Sequence, residues 1–321
     1  MKRDDTVADF SRFAGSARDR FFSHHGPWAL GVRLFRRLRF GAKAGLISLA
    51  FLLPLGLLAL AYLRASQETI AFARHELAGV EALVRLEPWL LEVQNQRRQV
   101  LAGLSARPDM AAIDERIRPL RELLASRPDG LDLHAELAKV DAMHQALSAL
   151  LTQGGATAKP EEMAAALQAY INGLSELRTT ALDRSNLTLD PDQDTYYLMT
   201  LATDSVSQVI EAISRTRALA GAAGRSGRVE AASLRQLFGV WYAGNERVAG
   251  ISQAAARAAE ANPEVGRRLK PQEAVGVTQR YFAAAAAAWF SADFDAHVQA
   301  LDAPGDQAVD GLRELAQQST V

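Results

Sequence analysis

Three aspartates at alternate positions, Asp190-Pro191-Asp192-Gln193-Asp194, have the spacing with which a calcium loop begins. Such a loop also needs glycine at its sixth position and a carboxylate at its twelfth. Here those positions hold Thr195 and Leu201. The block is therefore expected to be a proline-fixed turn whose aspartates cap a helix starting near Asp194. The adjacent Tyr196 and Tyr197 point about 100° apart on a helix. One ring is expected in the core with its hydroxyl bonded, the other near a rim or cleft. His134 and His144 lie ten apart with no carboxylate at ligand spacing, and His24-His25 has no third ligand type nearby. There is no phosphate loop, no Gly-x-Ser-x-Gly and no cysteine. The reading is of a protein that is not an enzyme, with no metal and no cofactor.

Arginine offers a different chemistry. Its planar fork pairs bidentately with carboxylates. Arg97-Arg98, Arg178, Arg215 and Arg217 fall on helical segments that could face one another. Arg97, Arg98, Arg178 and Arg217, together with Tyr197, are the candidate ligand-binding residues for a small, anionic solute. The competing expectation for each arginine is exposure, or an ion pair with a carboxylate on a neighbouring helix.

These residues need a frame, and one segment sets its class. Ala44 to Leu63 is 20 consecutive residues without a charge. At about 1.5 Å per residue it matches the roughly 30 Å of a bilayer's hydrocarbon core. Arg33, Arg36, Arg37, Arg39 and Lys43 precede it, and only Arg64 follows closely. The positive-inside rule then places residues 1–43 in the cytoplasm and residues 64–321 outside. A cleaved signal peptide is the alternative. Its apolar run would be shorter and nearer the N-terminus. Residues 1–64 hold 11 basic and 4 acidic side chains, a net +7, whereas residues 65–321 hold 25 and 33, a net −8. The basic end suits an anionic leaflet, and the acidic remainder argues against nucleic acid as a partner.

Beyond Arg64 apolar positions recur at three and four, the helical period. The membrane helix is expected to continue to about Leu104, with Pro88 kinking or breaking it. Further helices are expected at 109–126, 131–152, 160–187, 194–222, 228–261, 271–301 and 305–320, punctuated by Pro, Gly and Asp. No stretch alternates with period two. The fold class is therefore all-α: one transmembrane helix continuing into an elongated antiparallel helical bundle.

Two stretches carry a resemblance. Glu76-Leu-Ala-Gly79-Val80, followed by Gln94-Asn95-Gln96-Arg97, resembles the first external helix of bacterial methyl-accepting chemotaxis receptors. There a Glu-x-x-Gly-[Val/Ile] motif precedes Gln-x-His-Arg-Gly. Ser185-Asn186-Leu187-Thr188-Leu189-Asp190-Pro191-Asp192-Gln193-Asp194-Thr195-Tyr196-Tyr197-Leu198-Met199 is similar to their second landmark, Ser-Asn-Leu-x-Leu-Asp-Pro-Asp-x-Asp-Ser-Tyr-Tyr-Leu-Met. Gln96 stands where the family has His, Arg98 where it has Gly, and Arg85 where it has Pro. The resemblance spans roughly residues 44–321. It implies a homodimeric receptor in the inner membrane, with a periplasmic sensor passing a small-solute signal across the bilayer. Similar input regions occur on sensor histidine kinases and diguanylate cyclases, which is the second reading. A ligand-free, membrane-tethered structural protein is the third. Such receptors continue into a second span and a cytoplasmic coiled coil, so a chain ending at Val321 is expected to be a truncated receptor or a fragment.

Overall fold

The computed structural model describes residues 37–127, 130–153, 158–187, 192–225, 230–289 and 299–320. Among them there is no strand, and the protein is all-α. The helices are α1 (Phe40–Leu101), α2 (Met110–Ser126), α3 (His134–Gln153), α4 (Pro160–Arg184) and α5 (Gln193–Met199). After a π-helical segment at Thr200–Ser205 come α6 (Val206–Arg225), α7 (Ala231–Ala261), α8 (Pro263–Arg268), α9 (Pro271–Trp289) and α10 (Asp302–Ser319). The chain divides into two units, Met1–Ile70 and Ala71–Val321.

In the first unit every residue from Ala44 to Leu63 is exposed, with Phe51 at 75% and Leu58 at 68%. Leucines exposed on all sides of a helix fit surroundings of hydrocarbon better than water. α1 is long and apolar enough to cross a membrane. It runs through Pro54 without a break. In a membrane helix the lost hydrogen bond can be made good by neighbouring groups.

In the second unit, α1 buries Ala82, Leu86, Trp89, Leu90, Val93 and Val100. Their spacings of three and four keep one face inward. Pro88 does not end the helix. The stop comes at Gly103, earlier than Leu104. Its φ of 68° is one that glycine adopts at little cost. There the Leu104 amide donates to the Gln99 carbonyl (2.9 Å) and the Gly103 amide to that of Val100 (3.1 Å), the paired closure of a Schellman motif. α2 starts as its sequence predicts: the Asp109 carboxylate accepts from the Ala112 amide at 3.1 Å. Gly79 lets the end of α4 approach α1. A Cβ there would sit 2.3 Å from both the Cβ and Oγ of Ser185.

Two apolar cores result. One gathers the 82–100 face of α1 with Ile113, Ile117 and Leu120 of α2, Val140 and Leu147 of α3, and Leu167, Tyr170, Leu174 and Leu177 of α4. The other is built by α6, α7, α9 and α10 around Ile213, Ile251, Phe282 and Leu312. The segment expected as one helix over 194–222 is helical without a break from Gln193 to Arg225, with the π-helical turn dividing it into α5 and α6. The π turn packs against α7 and α10. Of the helix expected over 271–301, α9 accounts for Pro271–Trp289 and residues 290–298 lie outside the described residues; α8 is an additional turn.

Candidate functional site

Arg97 reaches inward from α1, with its side chain only 2% exposed. One terminal nitrogen donates to Glu211 (2.8 Å) and to the Gln168 side-chain carbonyl. The other donates to the second Glu211 oxygen (3.2 Å) and to Ser214 Oγ (3.1 Å). This is a bidentate pair tying α1 to α4 and α6.

Arg98 and Arg217 meet at a second cluster. Arg217 donates from one terminal nitrogen to Asp302 Oδ1 (2.9 Å) and from the other to Asp306 (2.8 Å). Arg98 donates to the same Asp302 oxygen at 3.1 Å and to Asn95. Two guanidiniums face two carboxylates, so the cluster is charge-balanced. Burial disfavours the charge on Arg217, but its bonds to Asp306 and Asp302 outweigh that and raise its pKa. Burial lowers that of Arg98, and the Arg217 charge beside it adds to the effect. A cavity of about 210 Å³ adjoins the cluster, lined in part by Thr216, whose buried hydroxyl has no partner.

Arg178 is placed differently. It lines a cavity of about 600 Å³ whose walls come from α1 (Leu90, Gln94), α4 (Ser175, Arg178), α6 (Ser207, Glu211, Arg215) and α7 (Gln236, Gly239, Val240, Arg247). The volume is within the range of small-ligand sites. Among the described residues, Arg178 and Arg215 make no hydrogen bond or ion pair, and Arg178 Nε is buried without an acceptor. Arg247 is exposed and donates to Gln208 and to the Ala243 carbonyl. Gln94 is 3% exposed and its side-chain oxygen has no donor. The one carboxylate in the wall, Glu211, is already held by Arg97. Of its three guanidiniums, Arg178 and Arg215 are half-buried and Arg247 is exposed, and Arg178 also neighbours the buried Glu87 carboxylate. On the far side of Arg178, Glu87 sits in a small apolar recess with Val84, Met199 and Ala202. Burial raises its pKa, while Arg178 and then Arg313 pull the other way.

No protein-family model, curated protein or solved structure matches this chain.

The structure thus separates the candidate residues. Arg97, Arg98 and Arg217 have carboxylate partners, Arg178 keeps a free edge towards a cavity, and Tyr197 is not in that cavity's wall. The tyrosines are not placed as expected, with one ring in the core. Neither ring is buried: Tyr196 is 42% exposed and Tyr197 is half-buried. The two rings meet edge-on, with centroids 5.3 Å apart. α5 turns Met199 inward, with Leu198 partly buried against the core, and leaves the two rings to cover each other nearer the surface. Asp194 is not a cap either. Its carboxylate accepts from the Asn262 side chain at 2.8 Å, joining α5 to the turn between α7 and α8. That bond holds its pKa below the usual carboxylate range. Asp190 and Pro191 lie outside the described residues, as does most of the 1–43 segment.

Gln94, Ser175, Ser207 and Arg247 were not singled out from the sequence. A weak signal was present. Ser175 and Arg178 are three apart on α4, and Ser207, Glu211 and Arg215 recur every four on α6. Each set is a polar row along one helix face. Such rows usually face solvent, which is why they carry no message until the helices are packed.

Proposed function

We propose that this chain is the anchor and solute-sensing region of a bacterial methyl-accepting chemotaxis receptor. Residues 44–63 span the inner membrane, residues 1–43 lie in the cytoplasm, and residues 64–321 stand in the periplasm as an elongated antiparallel helical bundle. The observation that carries the reading lies in α1. The helix holds an exposed, charge-free run of 20 residues and, further along, Gln94 in the wall of a cavity with unpaired arginines. A helix that both inserts in lipid and touches a ligand can pass a small displacement on. The chemotaxis motifs at 76–97 and 185–199 support the same assignment. Ile70, Leu77 and Val84 recur every seven residues on α1 and are each about half-exposed, the pattern of a seam with a second copy. A homodimer follows.

Topology gives one prediction. A phosphatase fused after Gly155 is expected to be active in cells, and a reporter that works only in the cytoplasm to be silent there. The reverse pattern would invert the orientation. Sensing gives another. The purified full chain in detergent is expected to melt at a higher temperature in a mixture of small organic acids, amino acids and sugars than in buffer. An unchanged melting temperature across the mixture contradicts a sensor and favours a structural protein.

A further inference from the structure

We propose that Glu87 is a pH-responsive clasp, which tightens the meeting of α1, the π turn and α10 when its carboxylate takes up a proton from solvent. The first observation is in the sequence. Val80, Leu83, Val84 and Leu91 form an apolar row on α1 at steps of three and four, and Glu87 fills the position where another apolar residue would continue it. In the fold this row meets elements distant in sequence. Leu91 packs against the core of α6, α7, α9 and α10. Glu87 and Val84 line a recess of about 100 Å³ with Ala202 and Thr203 of the π turn and Ala316 of α10. An ionised carboxylate there loses hydration that the apolar walls do not replace.

The surrounding charges do not restore it. Among the described residues, Arg178 on α4 and Arg313 on α10 attract the ionised form, while the π turn and α6 bring only the uncharged Thr203 and Ser207. Arg313 also has Asp310 beside it, at 4.0 Å. Burial outweighs both guanidiniums and raises the Glu87 pKa. The fold therefore favours the neutral acid. Its contribution is complete below the ordinary value of 4.5 and is lost as pH rises through the higher folded value. The π turn is the part of this junction that can yield. Such turns have a wider hydrogen-bond pattern than the α-helices around them and recur at functional sites. This one packs against α10, and its Thr203 hydroxyl donates back to the Met199 carbonyl at 2.7 Å. Protonation removes the charge facing the turn, so the apolar row can close on Ala202 and Ala316. Ionisation draws water in and loosens the contact. The clasp rests on the recess alone and not on the receptor reading.

The test compares the full chain in detergent micelles with Glu87→Gln, which mimics the protonated acid, at matched pH from about 8 down to 4.5. Near pH 8 the wild type is expected to melt about 2 to 4 °C below Glu87→Gln, and the gap to close as pH falls. Amide hydrogen exchange read by mass spectrometry should follow at Thr200–Ser205. Exchange there is expected to be faster in the wild type than in Glu87→Gln by about threefold or more near pH 8, and equal at the acid end. Glu87→Leu continues the apolar row and is expected to behave as Glu87→Gln does, so the comparison survives if one variant does not fold. A melting gap that does not change with pH, or a wild type more stable than both variants near pH 8, overturns the proposal, because Arg178 and Arg313 would then hold the ionised form. Failure of both variants to fold overturns it for the same reason. A pH-dependent gap with unchanged exchange at Thr200–Ser205 overturns it as well, since Glu87 would then act on the core at large and not on the π turn.

Discussion

Replacing Trp89 by alanine is expected to destabilise the domain of residues 71–321 by about 4 kcal/mol, as large-to-small truncations of buried aromatic rings do. Trp89 is fully buried in the core shared by α1 to α4. Its ring stands edge-on to Tyr170, with centroids 6.0 Å apart and planes at 82°, and its indole nitrogen donates to the Tyr170 hydroxyl at 3.1 Å. The truncation removes apolar area, an aromatic pair and a hydrogen bond together. Tyr170→Phe isolates the last of these. It leaves the indole N–H buried without an acceptor and should cost about 1 to 3 kcal/mol. Urea unfolding of the full chain in detergent, followed by circular dichroism, reads both. A Trp89→Ala loss below about 1 kcal/mol would mean that the cavity collapses freely and that the core is not packed as described. The same pair gives a pH signature. Burial pushes the Tyr170 phenol above its usual value of 10.0, so the fold favours the neutral form. That contribution is complete below pH 10 and is lost as pH rises and the unfolded chain ionises. The wild type should therefore lose more stability above pH 10 than Tyr170→Phe.

Helix existence was largely legible in the sequence because it rests on local rules. Asp109 announced α2, Pro160 announced α4, and the charge-free run announced the exposed half of α1. Boundaries were less legible where tertiary contacts decide them. α1 stops at Gly103, in a left-handed turn, although Arg107-Pro108 is the louder signal. The π turn at Thr200–Ser205 has no signature in composition, since no proline or glycine marks it. It arises inside a run whose apolar period continues, where Leu201 and Ala202 must face the core. The arginines show the same divide. Their presence on facing helices could be read, but their partners could not. Arg97 meets Glu211 across 114 residues and Arg217 meets Asp302 across 85, separations that only packing can close. Arg178 and Arg215 look no different from these in the sequence. What distinguishes them is that neither is held by a hydrogen-bonded carboxylate, a property of the assembled helices.

The Arg97–Glu211 pair makes the second large prediction. Glu211→Ala is expected to cost about 3 kcal/mol, because it leaves a guanidinium that is 2% exposed without its counter-charge. Glu211 itself is 29% exposed, so water relieves part of the loss and keeps the figure at the low end of the range for broken buried pairs. The double substitution Arg97→Met with Glu211→Leu removes the charge and its need for a partner together. It should recover most of the stability, since apolar residues of similar volume replace buried ion pairs at little net cost. A double-mutant cycle by urea unfolding measures the coupling. If the double substitution is as unstable as the sum of the single ones, the two side chains act independently and the bidentate geometry is not what stabilises α1 against α6.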